Sequence, residues 1–344
     1  METHVNRKLH AFAALASSAT LALAAGAAAD TLTIRIGWVQ TPGHMAPIVE
    51  ALSKKRPELF PHLGKSYKME PIHFNGTTPQ IQAQAINELE IASQAPSALA
   101  LAITNAHLDE RIVMDVVSDG REGYFSEYFV VMADGPIKTI EDVKGKRIAT
   151  NTIGSASDAA MRTMFRKRGI QDADFTTVET SFSNMPAMLD GGKVDMIGVL
   201  PQFAKGIVDN AKYRVLFKAA DAVGPTQAVV WAMRADVIAD HRAAYVDFFE
   251  DTLRARRWFQ DPANHKEAVA ICAEVTKLPE EKLDYVFTKE DFYRSPDGIP
   301  EIGLMQKEID EYVELKVLPK PVQLSPKYVD LTVVEEAKRR LDAK

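Results

Sequence analysis

Residues 31–39, Thr-Leu-Thr-Ile-Arg-Ile-Gly-Trp-Val, alternate polar and apolar side chains and include several β-branched types. A period of two with that composition predicts a strand. The same reading places strands at 68–74, 90–93 and 111–118, with helices at 47–55, 79–89 and 96–105 between them. In the second helix Ile81, Ala85 and Leu89 fall four apart on one face. After a glycine-containing break at 119–123 the pattern restarts. Strands are predicted at 128–132, 145–150, 175–179, 193–199 and 213–219, and helices at 157–168 and 185–189. Gly169 follows the first of these helices, where a left-handed C-terminal cap is expected. A strand at 228–233 precedes a helical tail, with candidates at 243–257, 262–274, 280–287, 302–315 and 330–341.

The two halves each run strand, helix, strand, helix, strand. Such alternation gives a mostly parallel sheet with helices on both faces. The expected fold is α/β: two doubly wound α/β lobes joined by two crossover strands. The strand at 228–233 most simply returns to the first sheet. Lobe 1 is then residues 30–120 plus 224–344, with the helical extension packed on it, and lobe 2 is residues 121–223.

The first 29 residues differ from the rest. Arg7 and Lys8 precede an alanine-rich apolar run at 11–25, and small residues occupy 27–29. This is the layout of a secretory signal peptide. The run is too short and too rich in alanine for a spanning helix. Cleavage is expected after Ala29, giving an exported, soluble mature chain.

The 344-residue chain carries a formal charge of −6 and a single cysteine, Cys272. A net-acidic chain lacks the basic excess that nucleic acid requires. One cysteine excludes an internal disulfide and a cysteine-based metal centre. In a helix it reads as a buried thiol. The chain has no G-x-S-x-G, H-E-x-x-H, Walker or G-x-G-x-x-G motif. The missing motifs lower the enzyme reading without removing it, and no cofactor or metal is expected.

Ligands of open α/β sheets sit beyond the carboxyl ends of the strands. The stretches there supply Gln40 and His44, then Gln94 and Ser97, then Asn151, Thr152 and Ser155, then Asn184, then Pro201 and Gln202. Each alone reads as a helix cap or turn. Together they would line a cleft with hydroxyls, amides and backbone N–H groups, which suits an anion. Trp38 and Phe125 are aromatic candidates near the same cleft, and Glu127 lies at the first crossing.

Several stretches carry a family resemblance: Ile36-Gly37-Trp38, the segment 85–91, Ile140-Glu-Asp-Val-Lys-Gly-Lys-Arg-Ile-Ala149, and Leu189-Asp-Gly-Gly-Lys-Val-Asp195 followed by Pro201. The chain resembles the periplasmic solute-binding proteins of ABC importers, of the nitrate/sulfonate/taurine type, with the type II binding-protein fold. Ser126-Glu127, Pro225-Thr226 and Gln94-Ala-Pro-Ser97 sit where comparable residues occur in the taurine and aliphatic-sulfonate members, which adds Thr226 to the candidates. Glu88 stands where the family usually has glycine. Leu200 stands where an aromatic residue is frequent, which shifts the expectation from taurine to a larger, partly apolar organic anion such as an aromatic carboxylate. The resemblance implies a periplasmic location, closure of two lobes on the ligand, and delivery to a membrane permease. Two alternatives stay open. One is a binding protein for a thiamine-precursor pyrimidine, which would use acidic and aromatic residues. The other is an enzyme on the same scaffold.

Overall fold

The computed structural model describes residues 31–343; the expected signal peptide at 1–29 lies outside them. The strands are β1 (Leu32–Trp38), β2 (Tyr67–His73), β3 (Ala92–Gln94), β4 (Glu110–Asp119), β5 (Tyr128–Met132), β6 (Arg147–Thr150), β7 (Thr176–Glu179), β8 (Met196–Val199), β9 (Tyr213–Lys218) and β10 (Thr226–Arg234). The helices are α1 (Ala46–Lys55), α2 (Gln80–Ala85), α3 (Pro96–Thr104), α4 (Ala156–Lys167), α5 (Met185–Asp190), α6 (Pro201–Val208), α7 (Ala219–Val223), α8 (Ala235–Asp240), α9 (Arg242–Gln260), α10 (His265–Thr276), α11 (Ile302–Glu314) and α12 (Thr332–Asp342).

One pairing pattern occurs twice. In the first half β1 pairs parallel with β2. Gly37 N–H donates to Ile91 O at 2.8 Å and Ile91 N–H to Arg35 O at 3.1 Å, which carries the ladder on toward β3. β10 lies between β3 and β4, antiparallel to both. The first-half order is therefore β2-β1-β3-β10-β4. The second sheet runs β7-β6-β8-β5-β9, with β6 parallel to β7 and β8, and β5 antiparallel to its two neighbours. Each sheet thus has its one antiparallel strand in the fourth place. That strand enters from the opposite end because the chain has just crossed from the other sheet.

The tail covers the first sheet. Tyr245, Phe248 and Phe249 of α9 and Val333, Val334 and Ala337 of α12 share a core with Ile34, Ile36 and Trp231. Each fully buried Phe or Trp contributes about 1.5–3 kcal/mol of burial energy. α11 packs on α3 and β10, and its Met305 and Ile309 join a cluster that also holds Phe129, Phe165 and Met196. Cys272 is buried in α10 and free.

Three expectations need correction. The helix expected at 280–287 is a single 3-10 turn at Glu280–Lys282, followed by turns, and Phe287 takes a φ of 58° that no helix accommodates. The helix expected at 79–89 stops at Ala85, two residues before Asn87 turns left-handed at φ 61°. The short helices α6, α7 and α8 were not expected. The Pro201 that reads as a turn residue occupies the first turn of α6, where its missing N–H costs nothing.

Candidate functional site

The two crossings run side by side. Thr226, the first residue of β10, is the register partner of Asp119, the last of β4. The buried Asp119 carboxylate accepts Ser126 Oγ at 2.5 Å and Glu127 N–H at 2.9 Å. Glu127 O accepts Ala219 N–H at 2.8 Å, and Ser126 Oγ accepts Ala220 N–H at 3.0 Å. These bonds lock the connections that pass between the sheets.

Beside this node lies a cavity of about 90 Å³. On a measure where one water needs about 10–15 Å³, that is room for several waters or one small organic molecule. Its wall takes Val39, Gln40 and His44 from the loop after β1, and Thr77 from the loop after β2. Asn151, Ser155, Ala156 and Ser157 come from the loop and first turn after β6, Leu200 to Gln202 from the start of α6, and Asp119, Glu127, Thr226 and Ala228 from the crossings. Phe182 and Phe292 form apolar walls. Among the described residues the lining contains no Lys, Arg or Cys.

Of the fourteen residues expected from the sequence, Gln40, His44, Glu127, Asn151, Ser155, Pro201, Gln202 and Thr226 line the cavity. Six do not. Trp38 packs at a tilt against His73, with ring centroids 4.5 Å apart. Gln94 joins a buried amide network, donating to Gln84 Oε1 at 3.2 Å. Phe125 packs edge-on against Tyr128 and Phe292, behind the wall. Asn184 is exposed at the start of α5. Ser97 and Thr152 belong to contacts between loops.

Those contacts are extensive. The loops leaving the first sheet grip the loop leaving β6. Asn151 Nδ2 donates to Asn75 O at 3.1 Å, Thr78 Oγ1 to Ile153 O at 3.0 Å, and Ser97 Oγ to Gly154 O at 2.7 Å. Gly76 permits the close approach: a Cβ there would lie 2.4 Å from Thr152 Oγ1. Ser155 caps α4, accepting Asp158 N–H and donating to Asn151 Oδ1 at 2.7 Å. Its hydroxyl is therefore spent on the helix terminus.

The unspent polar groups lie elsewhere in the wall. Thr77 Oγ1, Gln202 Nε2, Thr226 Oγ1, Tyr285 OH and Glu308 Oε2 are buried without a protein partner. A buried polar atom left unpaired costs about 1–3 kcal/mol, so five around one cavity mark a place where a polar ligand gains. Tyr285, Asp291, Phe292 and Glu308 come from the tail, which the sequence reading used only as packing. Asp291 is held by Arg294 at 2.8 Å, and Arg294 also donates to Pro42 O at 3.3 Å. The ion pair thereby sets the loop that carries Gln40 and His44.

Electrostatics in the cavity is dominated by acids. Burial pushes Glu127 up to about 8 despite the Ser157 hydroxyl at 2.6 Å, and the Asp119 charge adds to the rise. Burial likewise lifts Glu308 to about 8 against its Tyr312 hydrogen bond, and Asp119 to about 6. His44 falls to about 3, through burial and the nearby Arg294 and His73 charges, so it is neutral. Its Nδ1 accepts Val39 N–H at 3.3 Å, which leaves the hydrogen on Nε2.

A pH dependence follows. Glu127 and Glu308, with Glu110 lifted by burial to about 7, bind protons more tightly folded than unfolded. Stability therefore falls as pH rises through their folded values. His44 acts oppositely, but only below its unfolded value of about 6.5. Between pH 6.5 and 8 the unfolding free energy is expected to drop, by up to about 1.4 kcal/mol per unit for each group fully within its window. Urea titrations across this range check it, and Glu127→Gln should flatten the slope. A stability that rises from pH 6.5 to 8 contradicts the assignment.

A family model described as the NMT1-like family matches residues 27–273. The chain belongs to the NMT1-like family. Among solved structures it is similar to the alkanesulfonate-binding protein SsuA from Xanthomonas axonopodis pv. citri bound to MOPS. That match has a TM-score of 0.67 and 18% identity, over 87% of this chain and 99% of that one. The periplasmic nitrate-binding protein NrtA from Synechocystis PCC 6803 matches at TM-score 0.69 and 13% identity, over 92% and 90%. The desulfurization enzyme DSZB matches at 0.61 and 13%, over 90% and 99%. No curated protein matches the sequence. At these identities the likeness establishes a shared type II binding-protein fold. This NMT1-like chain has, among its described residues, no helix long and apolar enough to cross a membrane.

Proposed function

We propose that this NMT1-like protein is the exported solute-binding component of an ABC importer. It takes one small organic molecule into the cavity and presents it, closed between two lobes, to a membrane permease. The observation that carries the reading is the cavity itself, whose lining residues from both halves and the tail include five with an unpartnered buried polar atom. The lobes correspond to residues 30–120 with 224–344 and to residues 121–223, and the paired crossings at Asp119 and Thr226 form the hinge. Export by a signal peptide cleaved after Ala29, and action as a monomer, complete the reading.

An organic anion, sulfonate or carboxylate, is supported by the hydroxyl and amide donors of Thr77, Gln202, Thr226 and Tyr285 and by the names of the SsuA and NrtA neighbours. The buried acids Glu127 and Glu308 and the aromatic walls favour the second ligand reading, a pyrimidine-like nitrogen heterocycle. The DSZB neighbour raises an enzymatic role. The one thiol of this chain counts against cysteine chemistry: Cys272 lies in the α10 core, and burial pushes it up to about 12.

A thermal-shift panel of benzoate, benzenesulfonate, nitrate and 4-aminopyrimidine tests the reading. A solute at a hundred times its Kd is expected to stabilise the fold by about 2.7 kcal/mol. A flat response to the whole panel counts against solute binding, and turnover of a bound compound counts against a pure carrier.

A further inference from the structure

The family match ends at residue 273, yet the cavity wall is completed by residues beyond it. Glu308 sits in the second turn of α11, which packs on α3 and β10. Its side chain reaches the cavity beside the crossing node, near enough to Asp119 for the two charges to oppose each other. The residue is only 4% exposed. One carboxyl oxygen, Oε1, is engaged by the Tyr312 hydroxyl one turn on, which fixes the side-chain direction. The other, Oε2, is buried and has no protein partner, on a residue that lines the cavity. Glu127 contributes a second carboxyl to the same wall, but its Oε1 is held by Ser157. Gly198 lies against Glu127: a Cβ there would sit 2.4 Å from Oε1.

This arrangement is costly unless something answers it. An ionised Glu308 with no donor at Oε2 carries a large desolvation penalty, which holds the group protonated at neutral pH while the cavity is empty, and among the described residues the lining holds no Lys or Arg to offset it. A ligand that brings an N–H donor or a cationic nitrogen removes the penalty. A ligand that brings a sulfonate or carboxylate gives the ionised form no partner and leaves Glu308 protonated. The hydroxyls of Thr77, Thr226 and Tyr285 donate or accept as required, so they do not select a charge. Glu308 does.

We propose that Glu308, supplied by the tail outside the family-matched segment, is the specificity-determining residue of the cavity, and that its free Oε2 receives the N–H of a small ligand bearing an amine or amidine. This rests on the solute-binding reading above and narrows it to one ligand chemistry.

Calorimetric titration of the full-length chain with benzamidine, benzylamine, benzoate and benzenesulfonate tests it, together with Glu308→Gln and Glu308→Asp. Gln keeps the shape and a hydrogen bond to Tyr312, so that variant should melt like the parent. The parent chain is expected to bind benzamidine or benzylamine and to reject both anions. Glu308→Gln should weaken amidine or amine binding at least tenfold. Glu308→Asp keeps the carboxyl but withdraws it by one methylene, and should weaken binding severalfold. Amine binding unchanged in both variants overturns the role of Glu308 and leaves solute binding intact. Preference for the anions overturns the ligand chemistry alone. Binding of none of the four probes overturns both.

Discussion

Replacing Arg256 by methionine is expected to cost about 3–5 kcal/mol of unfolding free energy, because it strands a buried carboxylate. Arg256, in α9, is 2% exposed. Its guanidinium donates to Asp115 Oδ2 at 2.7 Å, Asp115 O at 2.6 Å and Ser295 O at 2.9 Å. Asp115, in the middle of β4, also accepts Gln227 Nε2 at 2.5 Å and Ser295 N–H at 3.0 Å. The network ties the tail segment after Phe292 to the sheet beside the cavity. The double variant Arg256→Met with Asp115→Leu removes both charges and should recover part of the loss, since a well-packed apolar pair can replace a buried ion pair. Urea denaturation of parent, single and double variants measures this. A single variant within 1 kcal/mol of the parent would mean that water reaches the pair.

The second large effect concerns binding. Leu200, at the N-terminal cap of α6, lines the cavity and is 9% exposed. Leu200→Trp places an indole into a space of about 90 Å³. Binding of any panel compound recognised by the parent chain is expected to fall more than a hundredfold. Overpacking should cost only about 1–3 kcal/mol of stability, so the variant remains folded. Calorimetric titration beside a melting curve separates the two. Parent-like affinity in a folded Leu200→Trp would place the ligand elsewhere. Ser155, which the sequence offers as a contact, is the poorer position for such a test: it caps α4, and its replacement costs helix stability of about 1 kcal/mol whether or not a ligand is touched.

These contrasts show where the sequence was informative. The alternating strand of 31–39, the restart after the break at 119–123 and the returning strand near 228–233 are all visible, because period and punctuation are local properties. Two sheets with a returning strand follow from them, although the strand order within each sheet does not. Ser155, Asn151, Ser97 and Thr152 were visible as polar residues after strands. Whether such a group faces a ligand or another loop depends on distances across the cleft, which no local pattern encodes. Glu308 and Tyr285 were illegible for a similar reason. A glutamate in an amphipathic helix reads as a solvated face, and only the packing of α11 on α3 and β10 buries it beside Asp119. The expected helix at 280–287 gives way to turns after Lys282, and at its far end Phe287 turns left-handed, a conformation that bulky side chains rarely signal in advance.

The most direct test of the account is hydrogen–deuterium exchange of the full-length chain with and without benzamidine at saturation. If the cavity between the two sheets is the binding site, completed by the tail, protection should appear together in four segments: residues 117–127, 151–160, 199–204 and 303–312. Binding without protection in 303–312, or with protection confined to the elements of one sheet, would contradict it.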